Sequence, residues 1–285
     1  MTPLASSTND KKLRNKGINK TVDPDTIFFI SIEGSYSHVE VALFCKKYTE
    51  SISIVNTESI VKIGSIVKNE VKASSHLIPY IDTLLHENNV TIHDLSFIAI
   101  DQGPGAFTSL RVSIATVNGI AFAHKIPLIG VQGLDALCRE TVQTSKQFAQ
   151  DVLQDVLIVC LLNAFNNDVY FSINKIQENS IITILEKNCK KINILLDELQ
   201  ELPELSKNIS KSSIIFTGNG ALLHQELITQ TFGEYSLASP LHTICSAQVI
   251  AEIALEQWEK SQNPEDFPTE LSPNYMKTQE FPVKK

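Results

Sequence analysis

One order of apolar segments is written twice in this chain of 285 residues, and that repetition limits the fold more than any other feature. The first copy opens with the apolar run Ile27-Phe28-Phe29-Ile30-Ser31-Ile32, turns through Gly34-Ser35-Tyr36-Ser37, and continues as His38-Val39-Glu40-Val41-Ala42-Leu43-Phe44, which alternates like a half-buried strand. Ser51-Ile52-Ser53-Ile54-Val55 alternates as well and reads as a third strand. Leu77, Ile78, Ile81, Leu84 and Leu85 then recur at helical spacing over residues 73–87, ended by Asn88-Asn89. A buried strand over residues 95–100 runs into a Gly-Pro-Gly turn and a helix through Leu110, Ile114, Val117 and Ala121; a strand over 127–131 and a helix from Leu134 complete the copy. From Asp151 the pattern restarts, with strands over 156–162, 169–173 and 181–184, a helix over 192–199, a strand over 213–217 and a helix over 221–229.

Three leading antiparallel strands followed by strand-helix units, written twice, describe an α/β protein with two mixed-sheet subdomains. This is the duplicated actin-like, ribonuclease H-like plan shared by sugar kinases and Hsp70-type ATPases. The expected division is an N-terminal tail over residues 1–25, subdomains over 26–150 and 151–262, and a C-terminal tail over 263–285. The first tail is polar, carries Lys11, Lys12, Arg14, Lys16 and Lys20, and lacks either periodicity, so its removal is expected to leave folding and partner binding intact.

A net charge of −8 opposes binding of a phosphate backbone by the chain alone. The five cysteines, Cys45, Cys138, Cys160, Cys189 and Cys245, are scattered, with neither a C-x-x-C pair nor metal-ligand spacing to histidine, which suits reduced thiols. Without a long apolar run or a secretion signal in the sequence, the expected location is the cytoplasm, away from membranes.

The segment Ile98-Ala99-Ile100-Asp101-Gln102-Gly103-Pro104-Gly105-Ala106-Phe107-Thr108-Ser109-Leu110-Arg111-Val112 carries the most information. A strand that enters a glycine turn and then a helix offers backbone N–H groups and a positive helix end to an anion, although a tight turn accounts for the glycines equally. As text it resembles the G-P-G-S-F-T-G-x-R-x-G signature of the tRNA threonylcarbamoyladenosine family that contains TsaB and TsaD. Gly103, Pro104, Gly105, Phe107, Thr108 and Arg111 match, whereas Ala106 replaces Ser, and Ser109 and Ser113 stand in place of Gly. Leu77-Ile78-Pro79, Pro127-Leu128-Ile129-Gly130-Val131, Gly218-Asn219-Gly220-Ala221 and Pro273-Asn274-Tyr275-Met276-Lys277 extend the resemblance from about residue 27 to 277.

The resemblance implies a scaffold without catalysis of its own. Such a subunit would pair with a TsaD homologue, help recruit a TsaE homologue, meet tRNA only through the complex, and dimerise with itself when TsaD is absent. Glu33 stands where relatives carry Asp followed by Thr, Asn163-Ala164-Phe165 replaces their D-A-R, and their metal-binding His falls on Ala73, with His76 out of register. Glu33, Gly218, Asn219 and Gly220 are thus expected to form a vestigial nucleotide site. No cofactor is expected beyond a nucleotide at the complex interface, and no metal. The other reading is an actin-like ATP-binding kinase or transferase using Glu33 and the two glycine loops. A peptidase is unsupported, since His86-Glu87-Asn88-Asn89-Val90 breaks H-E-x-x-H at its last position and G-x-S-x-G is missing.

Ala115, Gly119 and Ala123 recur every four residues, which fits either close seating on the protein's own sheet or close approach by a partner helix. The resemblance implies the second, with Leu77, Tyr80, Thr83, Leu84, Ala115, Gly119 and Ala123 at the contact.

Overall fold

The computed structural model describes residues 25–48, 60–69, 73–148, 156–177, 180–202, 214–233, 236–237, 243–261 and 263–277. Its strands are β1 (Thr26–Glu33), β2 (His38–Lys47), β3 (Val61–Asn69), β4 (Leu95–Gly103), β5 (Leu128–Gln132), β6 (Val156–Asn163), β7 (Asp168–Gln177), β8 (Ser180–Lys191), β9 (Ile214–Thr217) and β10 (Ser236–Leu237). The α-helices are α1 (Leu77–Glu87), α2 (Phe107–His124), α3 (Gly133–Phe148), α4 (Ile192–Gln200), α5 (Asn219–Leu223), α6 (Gln225–Phe232) and α7 (Ala247–Lys260). Among the described residues no helix is long and apolar enough to cross a membrane.

The strands form two five-stranded sheets, ordered β3-β2-β1-β4-β5 and β8-β7-β6-β9-β10. In each, the first strand lies antiparallel to the second and parallel to the fourth: Ile30 faces Leu43 and Ile98, and Val159 faces Ile173 and Phe216. The duplicated actin-like fold read from the sequence is the fold observed.

Because side chains alternate across a strand, β1 and β6 each feed two cores. Ile30 and Ile32 pack outward with Leu77, Ile81 and Leu84 of α1 and Leu110, Ile114 and Val117 of α2. Leu157, Val159 and Leu161 pack outward with α4, α5 and α6. The inward residues, Phe29 and Phe97 from one sheet and Ile158, Cys160 and Leu162 from the other, share a central core with α3 and α7. Phe29 stacks on Phe97 at 4.4 Å between ring centres, and Trp258 of α7 lies 4.9 Å from Phe97.

Several boundaries differ from the sequence reading. The N-terminal tail, apart from Asp25, and the strand expected over residues 51–55 lie outside the described residues; the observed third strand is β3, an edge strand largely exposed on both faces. The helix expected over 73–87 begins with a 3-10 turn, Ala73–His76. The strand expected over 181–184 reaches from Ser180 to Lys191, and the helix expected over 221–229 is two helices parted at His224. Although α7 lies within the stretch assigned to the second subdomain, it packs on β1, β2, β4 and β5, because the aromatic inner face of the first sheet needs a cover that α3, shared between the sheets, leaves incomplete.

The C-terminal tail is docked over residues 263–277. Leu128 N–H donates to Pro268 O at 2.8 Å, Asn274 N–H donates to Gln102 O at 2.8 Å, and Lys277 Nζ reaches Asp168 Oδ2 of the second half at 2.5 Å. Asn118 of α2 holds this strap in both directions, its Nδ2 donating to Leu271 O at 2.9 Å and its Oδ1 accepting from Leu271 N–H at 3.0 Å. Asn118→Ala leaves two backbone groups without these partners and is expected to lower stability by about 1–2 kcal/mol, measured by urea unfolding.

Candidate functional site

Parallel pairing brings the carboxyl ends of β1 and β4 side by side, with Ile32 opposite Ile100, so the next residues, Glu33 and Asp101, lie near the ends of adjacent strands. Both are buried. Glu33 Oε1 accepts from Ser35 N–H at 3.0 Å and from Ser35 Oγ at 2.5 Å, while Oε2 has no hydrogen-bond partner. Asp101 Oδ1 accepts from Gly103 N–H at 2.8 Å, and the Cys245 thiol lies 4.0 Å from Oδ2. Burial, with the Asp101 charge adding to it, pushes Glu33 up to about 8, against the pull of the Ser35 hydrogen bonds. Burial pushes Asp101 up to about 6, opposed by the Gly103 N–H. Of the two, Glu33 keeps its proton to the higher pH.

Across from this pair are the ends of β6 and β9. Asn163 N–H donates to Asn219 Oδ1 at 2.8 Å, and Asn163 Oδ1 accepts from Phe165 N–H at 2.8 Å. Gly218 has a φ of +99° and caps α5; a Cβ there would stand 2.2 Å from Leu161 O, and one at Gly220 would stand 2.9 Å from the same backbone. Both glycines are therefore required by strand-to-helix packing.

Tyr36 fills the space between these strand ends. It leaves the β1–β2 turn, is almost fully buried, and donates from its hydroxyl to Asn163 O at 2.9 Å, which bridges the two halves. Glu33, Asn219 and the Gly218–Gly220 loop are thus gathered around Tyr36. Sequence reasoning placed Tyr36 only in a turn and gave Asp101 no role beyond the signature strand.

The signature loop divides into a buried half and an exposed half. Gly103, with a φ of +108°, Pro104 and Gly105 are buried. A Cβ on Gly105 would meet Ser35 O at 2.5 Å, and Ala106 N–H donates to that same carbonyl at 2.7 Å. Ser113, where the signature has Gly, donates from its hydroxyl to Gly34 O at 2.9 Å and so fastens the Tyr36 turn to α2. In the exposed half, Arg111 lies over the Phe107 ring at 4.9 Å, Tyr275 of the strap lies 5.4 Å from the same ring, and Thr108 faces solvent.

The expected partner residues do not all face outward. Leu77 and Leu84 are buried against the first sheet, which corrects their assignment to a contact surface; they belong to the same stripe as Ile81. Tyr80 is half-buried, and Thr83, Ala115, Gly119 and Ala123 are exposed. A Cβ at Gly119 would meet nothing within 4 Å, so its small size is not required by the protein's own sheet. Ile78, 60 % exposed, and Phe122, 82 % exposed, were missed as surface residues; both lie off the buried stripe, which was the available signal. His76 is exposed beside Tyr80, away from the carboxylate pair.

Two sheets of one order, joined at their strand ends by Tyr36 beside a pair of buried carboxylates, define an actin-like protein. Residues 50–265 match the family model described as "TsaD: tRNA N6-adenosine threonylcarbamoyltransferase". The chain belongs to that family. It is 26 % identical over 205 residues to the tRNA threonylcarbamoyladenosine biosynthesis protein TsaB of Buchnera aphidicola subsp. Acyrthosiphon pisum, covering 67 % of this chain and 83 % of that one. It is 24 % identical to TsaB of Bacillus subtilis over 196 residues, 68 % of this chain and 76 % of the relative. The tRNA N6-adenosine threonylcarbamoyltransferase of Bacillus thuringiensis is 33 % identical over 108 residues, 36 % of this chain and 31 % of the relative. The solved structure of YeaZ from Pseudomonas aeruginosa has the same fold, with a TM-score of 0.60 at 18 % identity over 87 % of this chain and 99 % of that one.

Two substitutions probe this geometry. Glu33 and Asp101 hold protons more tightly when folded than at their ordinary values of 4.5 and 3.8. Stability from this source is therefore full below the unfolded values and is lost as pH rises through about 6 and then about 8. Glu33→Gln, which cannot ionise, is expected to be more stable than the parent at pH 9 by at least about 1 kcal/mol and to lose less stability between pH 6.5 and 9, read from urea midpoints. The N-cap of α2 is Ala106, in extended conformation and with no side-chain acceptor. Ala106→Ser restores a cap and is expected to add about 1 kcal/mol.

Proposed function

We propose that this chain is a non-catalytic subunit in the formation of threonylcarbamoyladenosine in tRNA, working beside a separate TsaD homologue that carries the chemistry. The carrying observation is the state of the central gap: Tyr36 spans it to Asn163, where the family's acid is replaced, and Phe165 stands where its base would be. A polyphosphate entering there would displace a buried tyrosine and meet a carboxylate rather than a cation. Likeness to TsaB proteins over about two thirds of the chain, against about a third for the matched transferase, supports the same reading.

The partner surface in this proposal is the outer face of α1 and α2. Ile78, Ala115, Gly119, Phe122 and Ala123 make it apolar and small, and exposed apolar surface of this kind serves association. The TsaD homologue packs there helix to helix, and a second copy takes its place when TsaD is absent. A TsaE homologue joins the pair, and tRNA is held by the assembly rather than by this acidic chain.

Gly119→Arg puts a long cation at a position open to solvent in the monomer, so the variant is expected to fold. It should weaken capture of a TsaD homologue from the same organism by tenfold or more, since burial of an unpaired charge costs several kcal/mol. A folded variant, checked by circular dichroism, that binds undiminished moves the interface elsewhere. The competing reading, an ATP-using transferase, is tested by titration of the isolated chain with Mg-ATP. Neither hydrolysis nor tight binding is expected, and a micromolar dissociation constant, about −8 kcal/mol, overturns the proposal.

A further inference from the structure

At the far end of α2, away from the central gap, two histidines meet. His124 is the last residue of the helix, and His93 lies in the 3-10 turn Ile92–Asp94 that leads into β4. Their ring centres are 5.1 Å apart with ring planes inclined at 71°, and both side chains are exposed. Among the described residues neither ring has a hydrogen-bond partner.

We propose that His93 and His124 form a surface site for a divalent transition-metal cation of the kind imidazole prefers, zinc, nickel or copper. The spacing is the first argument. Two imidazoles that share a tetrahedral cation at a nitrogen–metal distance of about 2.05 Å have ring centres about 5 Å apart. The support of each ring is the second. The His93 turn is pinned by Asp94, whose Oδ2 accepts from Thr91 N–H and from the Thr91 hydroxyl, both at 2.7 Å. His124 is held by the end of an eighteen-residue helix whose cap, Lys125, adopts the left-handed conformation and donates from its N–H to Ala121 O. A helix C-terminus also presents unpaired carbonyls and the negative end of the dipole, which favour a cation there.

Among the described residues no three His, Cys, Asp or Glu side chains gather as a metal cage, so this is a two-ligand site with its remaining positions open to water. It is independent of the subunit reading above, because metal uptake by the isolated chain requires no partner. Edge-to-face packing of the two rings, with no metal, is the competing account of the same spacing.

The test is calorimetric titration of the untagged full chain with Zn2+, and separately with Ni2+. The expected result is a site that involves both histidines. His93→Ala and His124→Ala should each weaken it by at least the 10–100-fold that loss of a metal's outer partners costs, while His76→Ala, another exposed helical histidine, leaves it unchanged. Circular dichroism confirms that the variants fold, as expected for exposed side chains. Absence of uptake, or uptake that survives either alanine substitution, overturns the proposal and leaves the contact as ring packing alone.

Discussion

Everything in this molecule depends on one buried layer in which two sheets share their inner faces. Phe29 and Phe97 of the first sheet and Ile158, Cys160 and Leu162 of the second contribute to a single core, closed by α3 and α7. Apolar area removed from water stabilises by about 25 cal/mol per Å², and neither sheet could bury its inner face by itself. The order of helices along the chain follows from that need. The helix after β5 lies between the sheets, and the last helix returns from the second half to finish covering the first.

That layer also explains how the carboxylate pair is tolerated. Two acids at neighbouring strand ends, dry and close, cannot both ionise without large cost, so one keeps its proton. The Ser35 and Gly103 N–H groups provide the hydrogen bonds that leave Asp101 and one oxygen of Glu33 satisfied. Here the buried Tyr36 stands beside the acids and donates its hydroxyl to Asn163 O.

Much of the fold was legible because β1, β2, β4, β6 and β7 are central or nearly so, and their residues are mostly apolar or alternate clearly. β3 was not legible: an edge strand exposed on both faces has no reason to alternate, and Gly64 interrupts what pattern it has. The glycines of the signature were legible as turn residues; the structure constrains Gly105 through the Ser35 carbonyl, which leaves no room for a Cβ, and Gly103 through its positive φ and the Leu110 side chain. Tyr36 was not, since its partner is 127 positions away and nothing local announces the contact. Leu77 and Leu84 were assigned outward although they continue the inward stripe, whereas Ile78 and Phe122, which break it, were passed over. Distance in sequence hid the plug, and an incomplete reading of helix faces hid the surface.

The C-terminal strap has a mechanical consequence. Folds made of two lobes around a gap commonly hinge about it. In this chain the strap is anchored on α2 and β4 and ends in the ion pair between Lys277 and Asp168, while Tyr36 ties the lobes from within the gap. Opening would have to break a tether on the rim and another at the centre, and part α3 from one of the two sheets it touches. The two lobes are therefore clasped at two points, one on the rim and one at the centre.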